Sequence, residues 1–142
     1  MIKIVPLQKE HVEKIVELET KYLLETLGVE MIMAEMHNKY AHFLTALDDD
    51  LVIGYIGGWI IDDVLEVINF VVDEAYQRKG IGTLLINTLT SIQKVKEIIL
   101  EVRSKNQKAI NFYTKLGFIE INRRLHYYKN GDDALVLRKE IV

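Results

Sequence analysis

The stretch from Val64 to Val102 limits the fold more than any other part of the chain. An apolar run, "VLEVINFVV", leads through "DEAYQRKG" to apolar positions at helical spacing, Ile81, Leu84, Leu85, Leu89 and Ile92, and then to a second short apolar run, "IILEV". The period changes from strand to helix and back, so the segment reads as a β-α-β unit. Before it, "HFLTAL", the acidic turn "DDD", "LVIGYIGGWI" and, after Asp62 and Asp63, "VLEVINFVV" read as three successive antiparallel strands. Ile2 to Val5 reads as a short strand ended by Pro6. Val12, Ile15, Val16, Tyr22 and Leu23 recur as a first helix, and residues 29–39 read as a second. Downstream, Ser104 with Gln107 resembles a capping box for a helix whose face is Ala109, Phe112, Tyr113 and Leu116, and Gly117 closes it. "FIEINRRLHYY" and "ALVLRKEI" then pair around Asn130 and Gly131. The expectation is one α/β (α+β) domain over residues 1–142. It would hold about seven strands in a mixed sheet and about four helices.

Between the first strand and the helix of that unit lies "YQRKGIGTLL", with two cations and two glycines between Arg78 and Gly82. A helix opened by glycines exposes unpaired N–H groups and the positive end of its dipole, so an anionic phosphate can bind there. The plain alternative is a tight turn with two solvated cations. The nucleoside-triphosphate loop, Gly-x4-Gly-Lys-Ser/Thr, is absent. The dinucleotide fingerprint asks for a third glycine where Leu85 stands, although Glu101 lies at about the distance, some 20 residues on, that the motif requires. Antiparallel strands before the glycines argue against a doubly wound sheet, so an NAD site ranks second.

Composition narrows the chemistry. With no cysteine among 142 residues there is no disulfide, thiolate metal site or covalent S-acyl enzyme. A net charge of -3 gives no general attraction to nucleic acid or anionic membrane. No apolar run approaches the roughly 20 residues that span a bilayer, and the start lacks a signal-peptide pattern. These features predict a cytoplasmic protein, with no direct nucleic-acid or membrane partner. His11, His37, His42 and His126 form no HExxH pattern and read as surface or half-buried residues, so no metal is expected. Trp59 reads as core at a strand end.

Two blocks carry a family resemblance. "INFVVDEAYQRKGIGTLLI" resembles the Gln/Arg-x-x-Gly-x-Gly/Ala loop of the Gcn5-related N-acetyltransferases, with Gln77, Arg78, Gly80 and Gly82 in the matching places. "ILEVRSKNQKAINFYTKLGFIEINRRLHYYKNGDDALVL" is similar to the ribosomal-protein-alanine N-acetyltransferase (RimI-type) branch and to the related catalytic subunits of N-terminal acetyltransferases. Where members of that branch often carry Pro-Trp after the first helix, this chain has "LETLGVEMIMAEM". The resemblance implies a GNAT-like fold and acetyl-CoA as donor. By the same resemblance, main-chain groups of Phe70, Val71 and Val72 would meet the pantetheine arm. The loop of Gln77, Arg78, Lys79, Gly80, Ile81, Gly82 and Thr83 would hold the pyrophosphate, and Asn106 and Tyr113 would also meet the cofactor. It further implies Glu101 as proton acceptor, Tyr113 as proton donor, and Tyr127 and Tyr128 against a protein or peptide N-terminus.

The residues admit other readings. Glu101 could form an ion pair with Arg103 or another cation, and Tyr113 sits on a helix face where a core aromatic is expected. In a strand, Tyr127 and Tyr128 would point to opposite sides, so that one at most faces the substrate. "NRRLHYYK" reads as a solvated edge strand. Two alternatives stay open, a coenzyme-sensing module without transfer activity and an acetyltransferase of lysine, polyamine or another small amine. An α-amino group, with pKa about 7.8, is roughly one-seventh neutral at pH 7, whereas lysine is neutral at only a few parts in ten thousand. The difference, about 3.5 kcal/mol, favours an N-terminal acceptor when one modest base is at hand. The oligomeric state is left open by the sequence.

Overall fold

The computed structural model describes residues 1–23 and 25–141. Leu24, where the atypical segment begins, and Val142 lie outside the described residues. The apolar runs form strands β1 (Ile2–Pro6), β2 (Ala41–Asp48), β3 (Leu51–Ile61), β4 (Val64–Val72), β5 (Glu97–Arg103), β6 (Ile119–Arg124) and β7 (Ala134–Glu140). They build one seven-stranded sheet in the order β1-β2-β3-β4-β5-β7-β6. Every neighbouring pair is antiparallel except β4 and β5. The helices are α1 (Val12–Tyr22), α2 (Gly28–Glu35), α3 (Ile81–Thr90) and α4 (Gln107–Lys115). The mixed, mostly antiparallel sheet with four α-helices is the expected architecture.

Strand alternation distributes the core between the two faces. Along β2, Leu44 and Ala46 join the cluster covered by α3 and α4, while Phe43 joins the one covered by α1 and α2. Leu85, which stands where a dinucleotide fold needs its third glycine, is fully buried and anchors α3 in the first cluster. That position serves packing between helix and sheet.

The region that matters for function is the parting of β4 from β5. Their parallel register runs only from Val64 opposite Glu97 to Val67 opposite Leu100. Next along β4 is a bulge: Val67 faces Gly58 and Asn69 faces Gly57 on β3, leaving Ile68 without an opposite number. A bulge bends its strand and increases the local twist. Past that point β4 stays on β3 and β5 stays on β7, and a cleft opens between them.

Three local expectations are corrected. Helix α4 is capped by Asn106 and not by Ser104, because Asn106 Oδ1 accepts the Ala109 N–H at 3.1 Å while the Gln107 side chain donates to Asn111. The second helix spans Gly28–Glu35, shorter than 29–39, and Asn38 turns back to donate to the Glu35 carboxylate at 3.1 Å. The strand after Phe118 ends at Arg124; His126, at φ 53°, adopts a left-handed conformation incompatible with a strand, so Tyr127 and Tyr128 lie in the connection to β7. The remainder of "NRRLHYYK", Asn122 to Arg124, is indeed exposed on the edge strand.

Because Leu85 is fully buried, Leu85→Ala is expected to destabilise the fold by about 2–5 kcal/mol, through lost burial plus a cavity. Denaturant unfolding measures it; a loss below 1 kcal/mol, on the order of an exposed-site change, would contradict the anchoring role.

Candidate active site

The cleft is a cavity of about 760 Å³. Its walls come from β4 (Glu66 to Phe70), β5 (Ile99 to Arg103), the α1–α2 connection, the start of α4 and the β6–β7 connection. It brings together Phe70, Glu101, Asn106, Tyr113, Tyr127 and Tyr128 from the expected set. Val71 and Val72 do not line it: Val71 is buried beneath α1, and Val72 packs on the opposite cluster. The loop from Gln77 to Thr83 lies outside the cavity lining as well.

Glu101 projects from β5 with its Oε2 buried and making no hydrogen bond. Its ion-pair partner is Arg124, whose Nε stands 3.5 Å from that oxygen without hydrogen-bonding geometry, so a cation other than Arg103 pairs with Glu101. Arg103, the neighbour that could have neutralised Glu101, instead pairs with Asp132 at 3.3 Å. A buried carboxylate oxygen with open acceptor capacity is costly unless something donates to it. An incoming amine would be such a donor.

Tyr113 is buried within an aromatic group, with ring centroids 5.3 Å from Phe112, 5.4 Å from Phe118 and 6.4 Å from Phe70. Burial, and secondarily Tyr128, raises its pKa well above the ordinary phenol value, so the proton stays on oxygen at any physiological pH. Tyr113 is thus a core aromatic that also lines the cavity. Tyr127 and Tyr128 stack edge-on with centroids 5.1 Å apart, and both line the cavity. The one-sided alternation expected of strand neighbours does not apply, because the connection turns here: the Gly131 N–H donates to the Tyr128 carbonyl at 2.9 Å. Burial first, then the Glu101 carboxylate, pushes the Tyr128 phenol up to about 12.

The glycine loop has the backbone of an anion cradle. Arg78 at φ 64° and Gly80 at φ 80° are left-handed, with Lys79 between them outside that region. Such alternation turns successive N–H groups toward one side, and the first turn of α3 adds its unpaired N–H groups. Arg78 and Lys79 are exposed beside it. Gly80 supplies conformation, and a Cβ there would meet nothing within 4 Å. Gly82 supplies close packing instead, since a Cβ there would stand 3.2 Å from Phe112 and 3.4 Å from Phe70. Gln77 ties the loop down by donating its amide to the Val72 carbonyl at 3.0 Å. That carbonyl, and the Phe70 N–H that Asn69 Oδ1 accepts at 3.0 Å, are two of the main-chain groups expected to face the pantetheine arm.

Several residues of the site were not singled out in the sequence. Asn69 interrupts an apolar strand, and that polar break was its signal. Asp132 holds Arg103 and also lies 3.5 Å from Lys105, fixing the β6–β7 connection. Trp59, expected in the core, is half-buried, lines the cavity and donates to Glu35 at 2.7 Å. His11, expected at the surface or half-buried, is buried and accepts the Gln8 N–H at 3.1 Å. Among the described residues, no three acidic or imidazole side chains converge as a metal site, and no helix is long and apolar enough to cross a membrane.

The profile described as "Acetyltransferase (GNAT) family" matches residues 9–118. The chain belongs to the GNAT acetyltransferase family. It is similar to an N-alpha-acetyltransferase of Sulfurisphaera tokodaii, with 31% identity over 142 residues, covering 89% of this chain and 85% of the relative. It is also similar to N-alpha-acetyltransferase RimI of Mycobacterium tuberculosis, 32% identical over 111 residues, 75% of this chain and 70% of the relative. Its fold matches the crystal structure of Ard1 from Thermoplasma volcanium with a TM-score of 0.91 at 24% identity, over 99% of this chain and 98% of the other. This GNAT acetyltransferase is thus an enzyme with acetyl-CoA as donor, and the open anion cradle on α3 suits the donor's pyrophosphate.

The buried phenols give this GNAT protein an alkaline signature. Tyr113, Tyr128 and Tyr55 all have raised pKa values in the folded state. The stability they contribute is fully present below the unfolded phenol value of about 10 and is lost as pH rises above it. The melting temperature is expected to fall as pH climbs past about 10, and less steeply in Tyr113→Phe. Equal slopes in the two proteins would mean that the phenol is not desolvated.

Proposed function

We propose that the chain, acting as a single N-acetyltransferase domain over residues 1–142, transfers an acetyl group from acetyl-CoA to the α-amino group at a protein N-terminus, with ribosomal proteins among the candidate acceptors. The proposed setting is the cytoplasm, where the thioester and new polypeptide N-termini are both at hand. The names of the Sulfurisphaera and Mycobacterium relatives support the acceptor class. The observation that carries the reading is Glu101, whose buried, unbonded Oε2 shares one cavity with Tyr113, Tyr127 and Tyr128.

Acetyl-CoA supplies an activated acetyl thioester. The backbone of Arg78 to Thr83 holds its pyrophosphate, with Gln77 bracing that loop from behind. Phe70 and Asn106 border the inner end of the donor's path. Tyr127 and Tyr128 flank the peptide's first residue, and Glu101 accepts the proton that the amine gives up as its nitrogen bonds to the acetyl carbon. Tyr113, protonated at neutral pH as any phenol is, donates to the departing sulfur. A phenol is a weak acid for this task, so its contribution depends on being held close rather than on acidity. A lone carboxylate base fits an α-amine, which needs about 3.5 kcal/mol less to reach its neutral form than lysine does.

Incubating the protein with acetyl-CoA and short peptides, and following free thiol, tests the class and the acceptor together. Peptides with a free N-terminus should release thiol, while Nα-blocked lysine peptides and spermidine should not; a folded protein inert toward all amines would overturn the proposal. Tyr113→Phe should lower kcat by about 10²–10⁴-fold with little change in peptide KM. A raised KM at unchanged kcat would make Tyr113 a binding residue instead.

A further inference from the structure

Glu19 is a fully buried carboxylate on α1, and the chemistry described above does not use it. Four donors converge on it. Its Oε2 accepts the Leu27 N–H at 2.8 Å, the Tyr55 hydroxyl at 2.8 Å and Asn69 Nδ2 at 2.6 Å, and its Oε1 accepts the Gly28 N–H at 3.1 Å. Four donors and no acceptor are the partner set of an ionised carboxylate.

The partners explain what this charge does. Helix α2 begins at Gly28 after Leu27, which offers no capping side chain. Glu19 caps α2 from the preceding helix, placing a negative charge on N–H groups that would otherwise be orphaned. The same oxygen grips Asn69, next to the bulge that bends β4 off β5. Between these grips run Tyr22, Leu23, Glu25, Thr26 and Leu27, which form one wall of the cavity. Tyr22 adds an outer tie, donating to Asp73 at 3.2 Å. The chain has no Pro-Trp in this connection to stiffen it.

We propose that Glu19 is a positioning residue for the acceptor: it fixes the α1–α2 wall against the β4 bulge, setting the width of the cleft where the peptide N-terminus enters. The inference rests on the reading of that cleft as the acceptor site. Glu19 does not touch the substrates. It acts through Leu27, Gly28 and Asn69. The donor's cradle on α3 lies outside this network, and the donor's path meets it only through Asn69, whose Oδ1 accepts the Phe70 N–H, so the acceptor side depends on Glu19 more than the donor side does.

Glu19→Gln tests the idea with little change in shape. If the amide oxygen takes the place of Oε2, the amide NH₂ faces the Gly28 N–H, which loses its acceptor while Leu27 keeps its own. Expected are faster hydrogen exchange at Gly28, a peptide KM raised about tenfold, and an acetyl-CoA KM raised by much less. Tyr55→Phe removes one donor from a fully buried side chain that cannot reach substrate, and should raise the peptide KM in the same direction by less. It also serves if Glu19→Gln does not fold. Unchanged peptide KM in the folded variants, or equal effects on donor and acceptor KM, would overturn the role of Glu19 alone. A wild-type protein that acetylates no peptide N-terminus would overturn both this inference and the functional reading beneath it.

Discussion

Four residue pairs hold β4 to β5, and the shortness of that contact shapes the rest of the molecule. Strands part at a cost, because main-chain N–H and C=O groups lose their ladder partners and must find others. Two of them are satisfied by side chains, the Phe70 N–H by Asn69 and the Val72 carbonyl by Gln77. The bulge at Ile68 directs the bend, and the sheet remains continuous on either side because β3 and β7 keep their own partners. The fork is therefore a stable feature of the fold, and the cleft proposed as the active site is the space it leaves.

Polarity inside the cleft is arranged by removing neighbours as much as by adding them. Arg103 follows Glu101 by two residues on the same strand, yet Asp132 takes it, so Glu101 keeps an unbonded oxygen. The Tyr113 and Tyr128 phenols, whose pKa values burial raises further above neutrality, share the cavity with the Glu101 carboxylate. A partly apolar site strengthens each of these polar contacts relative to water. Glu19 shows the opposite arrangement, a charge completely satisfied and hence structural.

Much of this was legible in local pattern. The β-α-β unit, the three antiparallel strands and the glycine loop depend on residues close in sequence, where period and turn chemistry act directly. Legibility failed where two local signals competed. Ser104 and Asn106 are both good caps, and Asn106 is the one whose side chain reaches the Ala109 N–H. Tyr127 and Tyr128 continue a strand-like pattern, but Asp132 and Asp133 draw the chain into a turn: Tyr128 donates its N–H to the Asp132 carbonyl, and His126 donates its N–H to the Asp133 side chain. Glu19 sits four residues after Ile15, on the apolar stripe of α1, and that misplaced charge was a readable but unread signal.

The sequence by itself determined the element order, the glycine turn before α3, and, by resemblance, the acetyltransferase family. Tertiary structure alone decided which groups meet. Glu19 and Asn69 are 50 residues apart, and Glu101 comes to face Tyr128 across a loop. Such meetings follow from strand register and from one extra residue in β4, both set by pairing between distant segments. Hydrophobic period specifies which face of an element is buried, but not which remote side chain it is buried against.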